Sequence, residues 1–206
     1  MSPRPRTIPD ADVLAAAIRA IWRLGPANVT LADVAREAGL APATLVQRFG
    51  SKRGLLLAVA KMSVDGVDAC FDLVRRAHRS PLAAVVAGTV EMARTVKSPD
   101  ELANSLSFLQ MDISDPDFHR LAVENSRRML AGYRRLLDDA VAAGELVRCD
   151  TLRLARAVGA VSGGSLLSWA IVRDGTAERY IRKDIKTVLD PYRPRRRPTK
   201  RRRRSG

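Results

Sequence analysis

Two short segments with helical periodicity are joined by only three residues, 39–41. The first begins with Thr30, followed three residues later by Asp33, a spacing that predicts a capped helix start. Gly39 favours a helix end, and Pro42 suits the first turn of the next helix. A connection this short requires the two helices to pack against each other, which predicts a helix-turn-helix.

The second of these helices is expected to present two different faces. Leu45 and Phe49 should face the core, whereas Thr44, Gln47 and Arg48 should share an outward face. In a helix-turn-helix the second helix enters the DNA major groove. The outward face is therefore predicted to read bases, and an ordinary helical hairpin with a polar surface is the alternative.

Residues 29–56, VTLADVAREAGLAPATLVQRFGSKRGLL, resemble the N-terminal DNA-binding segment of the TetR family of transcriptional regulators. The matching positions are Thr30, Val34, Ala35, Ala38, Gly39, Thr44, Leu45, Phe49, Lys52 and Leu55. Beyond this segment the chain agrees with the family only in length and helical pattern.

Two positions depart from the family pattern. Val46 stands where the family commonly has an aromatic residue, often tyrosine, that touches the DNA backbone. Ala41 stands where a capping Ser or Thr is common, and the loss of such a hydroxyl costs about 1 kcal/mol. We therefore expect operator binding to depend more on electrostatics than is usual in the family.

Nine residues of this segment are predicted to contact DNA. Gln47 suits an adenine edge, and Arg48 suits a guanine or a phosphate. Thr44 could touch a thymine methyl or a phosphate, while Thr30 and Lys52 lie near helix N-termini, which favour phosphates. The predicted set is Thr30, Leu31, Ala41, Pro42, Ala43, Thr44, Gln47, Arg48 and Lys52.

Positive charge is concentrated at the two ends of the chain, which has 206 residues and a formal net charge of +14. Residues 193–206 hold nine positive side chains, residues 1–56 hold eight against four negative, and residues 57–192 hold nineteen against eighteen. This distribution predicts a polyanionic partner. Repulsion and two prolines should keep the tail unfolded. We expect it to clamp DNA phosphates; RNA, an anionic membrane or no partner are the alternatives.

The rest of the chain has helical periodicity, only 4% of its residues are aromatic, and no segment predicts a strand. An all-α fold of about nine helices is therefore predicted. The expected division is a flexible basic arm (1–9), a helix-turn-helix DNA-binding domain (10–55), a helical ligand-binding and dimerisation domain (56–192) and a disordered basic tail (193–206).

The resemblance implies that the larger domain encloses a small-molecule pocket and that its last two helices pair with a second copy in a homodimer. The run 162–165, Ser-Gly-Gly-Ser, would permit close helix approach, although packing within one chain is the alternative. Few charges lie on the apolar faces, which suits a largely apolar effector. The candidate lining residues are Met92, Phe108, Met111, Phe118, Met129, Tyr133 and Trp169.

Enzymatic motifs are lacking in the sequence, and His78 and His119 are far apart. We predict no catalytic residue, no metal site and no cofactor. Two cysteines suit a reducing compartment, no signal peptide is visible, and residues 157–172 are predicted to be too short and polar to cross a bilayer. The expected location is the bacterial cytoplasm, in association with the nucleoid and without a membrane partner.

By resemblance, the expected function is that of a ligand-released repressor, which binds a palindromic operator on double-stranded DNA as a dimer. The main alternative is a non-specific nucleoid or nucleic-acid packaging protein driven by its basic ends. A helical enzyme is a third hypothesis.

Overall fold

The computed structural model describes residues 8–94 and 96–195, apart from the side chain of Met92. These residues contain nine α-helices and no strand, so the all-α prediction is confirmed. The helices are α1 (Asp10–Leu24), α2 (Leu31–Ala38), α3 (Pro42–Phe49), α4 (Lys52–Ala77), α5 (Pro81–Ala93), α6 (Pro99–Ser114), α7 (Pro116–Ala142), α8 (Thr151–Val172) and α9 (Ala177–Leu189). A 3₁₀ turn over Asp190–Tyr192 follows α9.

Capping residues account for where several helices begin. The Thr30 hydroxyl accepts a hydrogen bond from the Asp33 backbone N–H at 3.1 Å, and the Asp33 carboxylate accepts one from the Thr30 N–H at 3.0 Å. This closes the capping box predicted for α2. The carboxylates of Asp115 and Asp150 likewise accept backbone hydrogen bonds at the starts of α7 and α8.

We call residues 10–55 the head and residues 56–192 the body. Val13, Ile21 and Leu45 are among the side chains that close the head core around α1, α2, α3 and the start of α4. One aromatic side chain of this core belongs to the body. The limits of the four predicted segments stay a prediction, because α4 runs without a break from one region into the other.

The body core is built from α4, α5, α7, α8 and α9. Phe71 on α4 and Tyr133 on α7 meet edge to face, with ring centroids 5.0 Å apart. A Cβ atom added at Gly132 would lie 2.3 Å from the Phe71 ring, so this approach of α7 to α4 requires a residue without a side chain.

Helix α8 is apolar yet largely uncovered in the single chain. Its length of 22 residues and its hydropathy would suffice to cross a membrane, contrary to the prediction for residues 157–172. Only 28% of its most apolar window is buried. Gly164, Leu167 and Ile171 are exposed along one stripe of the helix, and Ile171 is 81% exposed. This stripe can be covered by a second protein surface.

Candidate nucleic-acid interface and adjoining cavity

Helix α3 lies with one face on the head core and the other toward solvent. Leu45 is fully buried, whereas Ala43 and Gln47 are exposed and Val46 is 49% exposed. The predicted outward orientation is confirmed for Gln47, and Thr44 is half-buried. The exposed face therefore combines one long amide side chain with small apolar groups that allow close approach to base edges.

The predicted outward orientation of Arg48 is wrong. One Nη1 atom of Arg48 donates hydrogen bonds to the Ile8 carbonyl at 2.7 Å and to the Asp10 carboxylate at 3.2 Å. The side chain is only 19% exposed. Its partners lie about forty positions earlier in the chain, so helical spacing alone could not reveal them. In this structure Arg48 ties the start of α1 to the end of α3.

Three helix N-termini border the exposed α3 face. Thr30 is exposed at the start of α2, and Ala41, Pro42 and Ala43 are exposed at the start of α3. No side chain caps α3. Helix N-termini carry partial positive charge and unbonded N–H groups, which favour phosphate.

Two further residues of the predicted set are partly engaged within the head. Lys52, at the start of α4, donates from Nζ to the Ala27 carbonyl at 2.6 Å, and Leu31 is half-buried beside the head core. Both remain adjacent to helix N-termini, so a phosphate contact would require Lys52 to exchange one oxygen partner for another.

Each arginine among residues 8–55 of the structure pairs with a carboxylate. Arg19 and Arg23 both bond Glu37, at 3.0 and 3.3 Å. Arg36 bonds Asp33, Arg48 bonds Asp10, and Arg53 bonds Asp115 and Asp117. The head therefore presents few uncommitted cations to a phosphate backbone, which supports a larger electrostatic share for the chain ends.

A cavity of about 300 Å³ lies where the head meets the body. Ile18, Ile21 and Trp22 of α1 form one wall, and α4, α6 and α7 supply the others. Most of the lining is apolar, and Asp112 is its one ionisable side chain. The volume lies at the lower end of the range of small-molecule sites in proteins.

Only one of the predicted pocket residues, Phe108, lines this cavity. Phe118 is completely buried in the head core, and Met111 packs against the same core. Their assignment to the pocket was wrong because the start of α7 turns toward the head, a contact between distant parts of the chain.

The other predicted pocket residues lie elsewhere. Met129 and Tyr133 border a separate groove between α7 and α8. Trp169 donates from Nε1 to the Gly175 carbonyl at 3.1 Å and packs in a third cluster near the end of α8. The prediction of one pocket formed by all these residues was therefore wrong, and the side chain of Met92 lies outside the described residues.

Asp112 is a cavity residue that sequence reasoning missed. Burial raises the pKa of its carboxyl above the ordinary value, and nearby His119 opposes that shift. The signal was present in the spacing, because Ser105, Phe108 and Asp112 recur at i, i+3 and i+7 and so share one face of α6.

The head is also held to the body by an arginine at the start of α4. The guanidinium of Arg53 donates to the carboxylate of Asp115 at 2.8 Å and to that of Asp117 at 2.8 Å. Its Cζ atom lies 5.8 Å from the Phe118 ring centroid. Hydrogen bonds from Arg53 lower the pKa of both carboxyl groups.

Comparison with known proteins agrees with this architecture. Residues 13–59 match the family model described as bacterial regulatory proteins, tetR family. With the exposed second helix of the motif, this match defines a helix-turn-helix transcriptional regulator. The chain is 32% identical over 170 residues to the HTH-type transcriptional regulator BetI of Agrobacterium fabrum, covering 77% of this chain and 82% of that protein. The chain therefore belongs to the TetR family, and the resemblance noted in the sequence is confirmed.

Other similar proteins support the same conclusion. The BetI regulator of Paraburkholderia xenovorans is 31% identical over 170 residues, covering 81% of this chain and 84% of that protein. A TetR transcription regulator from Haloarcula marismortui has a TM-score of 0.73 at 16% identity, covering 89% of this chain and 97% of that chain. A TetR-family regulator from Agrobacterium tumefaciens has a TM-score of 0.70 at 18% identity, with the same coverage. These structures share the fold, and the packaging hypothesis is not favoured.

Proposed function

We propose that this regulator is a homodimeric repressor that binds a palindromic operator and releases it when a small effector occupies the cavity between head and body. The observation that carries the proposal is the exposed face of α3, which bears Gln47 on a TetR-type head. The proposed cellular location is the cytoplasm, where the operator DNA is accessible. An enzymatic activity is not part of the proposal.

In the proposed complex, α3 enters the major groove. Gln47 pairs with an adenine edge, while Ala43, Thr44 and Val46 contact bases or sugars at close range. The N-termini at Thr30, Leu31, Ala41, Pro42 and Lys52 face phosphates. Arg48 acts as a positioning residue, because its hydrogen bond to the Ile8 carbonyl fixes α1 against α3.

The experiment that tests this function is selection of bound duplexes from a random DNA library. We expect an enriched two-fold symmetric site, because each copy of the head reads one half-site. Gln47→Ala should lose the base preference at one position of each half-site, a loss of about 1–3 kcal/mol. Gln110→Ala removes the same group from an exposed position of α6 and serves as the control.

Two outcomes would contradict the proposal. The absence of any enriched sequence at physiological salt would favour non-specific packaging instead. An unchanged site preference in Gln47→Ala would show that α3 does not read bases through this residue.

Dimerisation is proposed to occur through α8 and α9, because the stripe of Gly164, Leu167 and Ile171 remains uncovered in the single chain. A Cβ at Gly164 meets no atom within 4 Å of its own chain. Gly164→Arg should therefore fold but sediment as a monomer, while Gly66→Arg, equally unobstructed on α4, should remain dimeric. A dimeric Gly164→Arg would place the interface elsewhere. α9 presents basic side chains outward, so its part of the interface is expected to be polar.

The basic tail is proposed to add sequence-independent phosphate contacts. Residues 196–206, which hold seven of the nine positive side chains, lie outside the described residues. Each phosphate neutralised steepens the salt dependence of binding by about 0.9 log units per log unit of salt. Truncation after Arg195 should flatten that slope and leave site preference unchanged. Equal slopes for the two proteins would remove the tail from the proposal.

Effector release requires that cavity occupancy and operator binding oppose each other. The cavity has one wall on α1 and the others on α4, α6 and α7, so an occupant touches head and body at once. Energetic coupling between two sites is reciprocal. Operator DNA should therefore weaken effector binding by the same factor by which the effector weakens operator binding. A largely apolar effector is proposed from the mostly apolar lining.

A further inference from the structure

From the chemistry of the cavity walls we infer that the effector is a small organic cation, an ammonium group carried on an apolar body. This inference rests on the proposed function, because it takes the cavity between head and body as the effector site. The juxtaposition that carries it is one carboxylate, that of Asp112, opposite the aromatic side chains of Trp22 and Phe108 in a mostly apolar cavity.

The carboxylate has no partner within the described part of the chain. Asp112 makes no side-chain hydrogen bond and no ion pair there, and the one charged group that acts on it is His119. The ring nitrogen Nδ1 of His119 lies 3.0 Å from the backbone oxygen of Asp112 rather than from its carboxylate. An ionised carboxylate beside apolar side chains is unfavourable unless a cation compensates it.

The same site disfavours the other two ligand charges. An anionic effector would place like charge beside Asp112, which is repulsive at short range. A neutral apolar effector would fill the cavity but would leave the carboxylate desolvated and uncompensated. A cation gains attraction from Asp112 and, if it lies over a ring face, from Trp22 or Phe108. Raised pKa from burial agrees with this arrangement, since the empty site favours the neutral acid.

Three polar side chains complete the recognition chemistry. Ser63, Ser105 and Asn125 line the cavity and offer oxygen acceptors to an N–H group. Ile18 and Ile21 supply apolar area for the rest of the molecule. The expected ligand therefore has one cationic end and one apolar end.

The test uses three probes with the same apolar body and different head groups: 4-tert-butylbenzylammonium, 4-tert-butylbenzyl alcohol and 4-tert-butylbenzoate. Isothermal titration calorimetry on the full-length, DNA-free protein measures the affinity of each. We expect the ammonium to bind about tenfold more tightly than the alcohol, which corresponds to about 1.4 kcal/mol. The benzoate should bind more weakly than both.

Two substitutions locate the effect. Asp112→Asn should remove the preference for the ammonium over the alcohol while leaving the affinity for the alcohol unchanged. Asp174→Asn changes the net charge equally at an exposed position after α8 and should leave the preference intact. Because the three-probe comparison needs no variant, it remains decisive even if Asp112→Asn does not fold.

Several results would overturn the inference: no binding by any probe, equal affinity for ammonium and alcohol, tighter binding of benzoate, or an unchanged preference in a folded Asp112→Asn. These results are separate from those for the proposed function, which depends on DNA selection. A protein that selects an operator but shows no ammonium preference would retain the function and lose this inference.

Discussion

The head and the body complete their cores in different ways. The buried residues of the body core all come from positions 67–189, so the body is filled by its own helices. The head core includes Phe118, which is completely buried there although it belongs to α7. The comparison indicates that the body can keep its packing when the head loosens, whereas the head depends on the body for one of its largest core side chains.

The largest effect is expected from Phe118→Ala. Removing a buried phenylalanine typically costs about 3–5 kcal/mol. Hydrogen exchange should show α1–α3 losing protection, while α9 keeps it. Phe108→Ala, at a partly buried position facing the cavity, should have a smaller effect. Equal loss of protection in α3 and α9 would show that head and body form one cooperative unit, which would break the comparison.

The next effect concerns the body alone. Gly132→Ala would place a Cβ 2.3 Å from the Phe71 ring, and such overpacking costs about 1–3 kcal/mol. Gly66→Ala meets no atom within 4 Å and should stabilise α4 by roughly 0.5–1 kcal/mol. Urea unfolding compares the two variants. A tolerated Gly132→Ala would mean that the approach of α4 and α7 is less tight than the structure has it.

A smaller effect, of opposite sign, is expected in the head. Ala41 gives α3 no side-chain cap, so Ala41→Ser should stabilise the head by about 0.5–1 kcal/mol. Thermal unfolding together with exchange of the α3 amides measures the gain. Ala142→Ser, at an exposed position in the last turn of α7, adds the same hydroxyl without a cap and should give no gain. A gain in both variants would exclude capping as the cause.

The smallest effect at neutral pH is expected from Arg53→Gln, because ion pairs of exposed side chains contribute little to stability. Arg53 lowers the pKa of Asp115 and Asp117 from the ordinary value of 3.8. A depressed carboxyl pKa contributes stability that is present above the ordinary value and is lost as pH falls below it. The melting temperature of the wild type should therefore fall more steeply below about pH 3.8 than that of Arg53→Gln. Parallel acid limbs would exclude this link between head and body.

Local signals in the sequence were sufficient for the helices and insufficient for the contacts between them. Thr30, Asp115 and Asp150 cap helices as predicted, because a cap involves neighbours within a few residues. Gln47 faces outward as predicted, because its orientation follows from helical periodicity and the burial of Leu45.

Arg48, Phe118 and Asp112 show where such signals end. The partners of Arg48 lie at the start of α1, and Phe118 reaches a core built mainly by residues before position 60. Asp112 faces a cavity because α1 closes over α6. Each orientation is decided by tertiary packing between segments distant in sequence, for which periodicity carries no information.

The cavity wall formed by α1 also constrains how this chain can evolve. Ile21 belongs to the head core, Ile18 packs against that core, and both face the cavity. A mutation that reshapes this wall therefore changes head stability at the same time. Positions on the opposite walls, such as Ser105 and Asn125, lie outside the head core and can vary with less penalty. New chemical preferences should accumulate there first when relatives of this chain diverge.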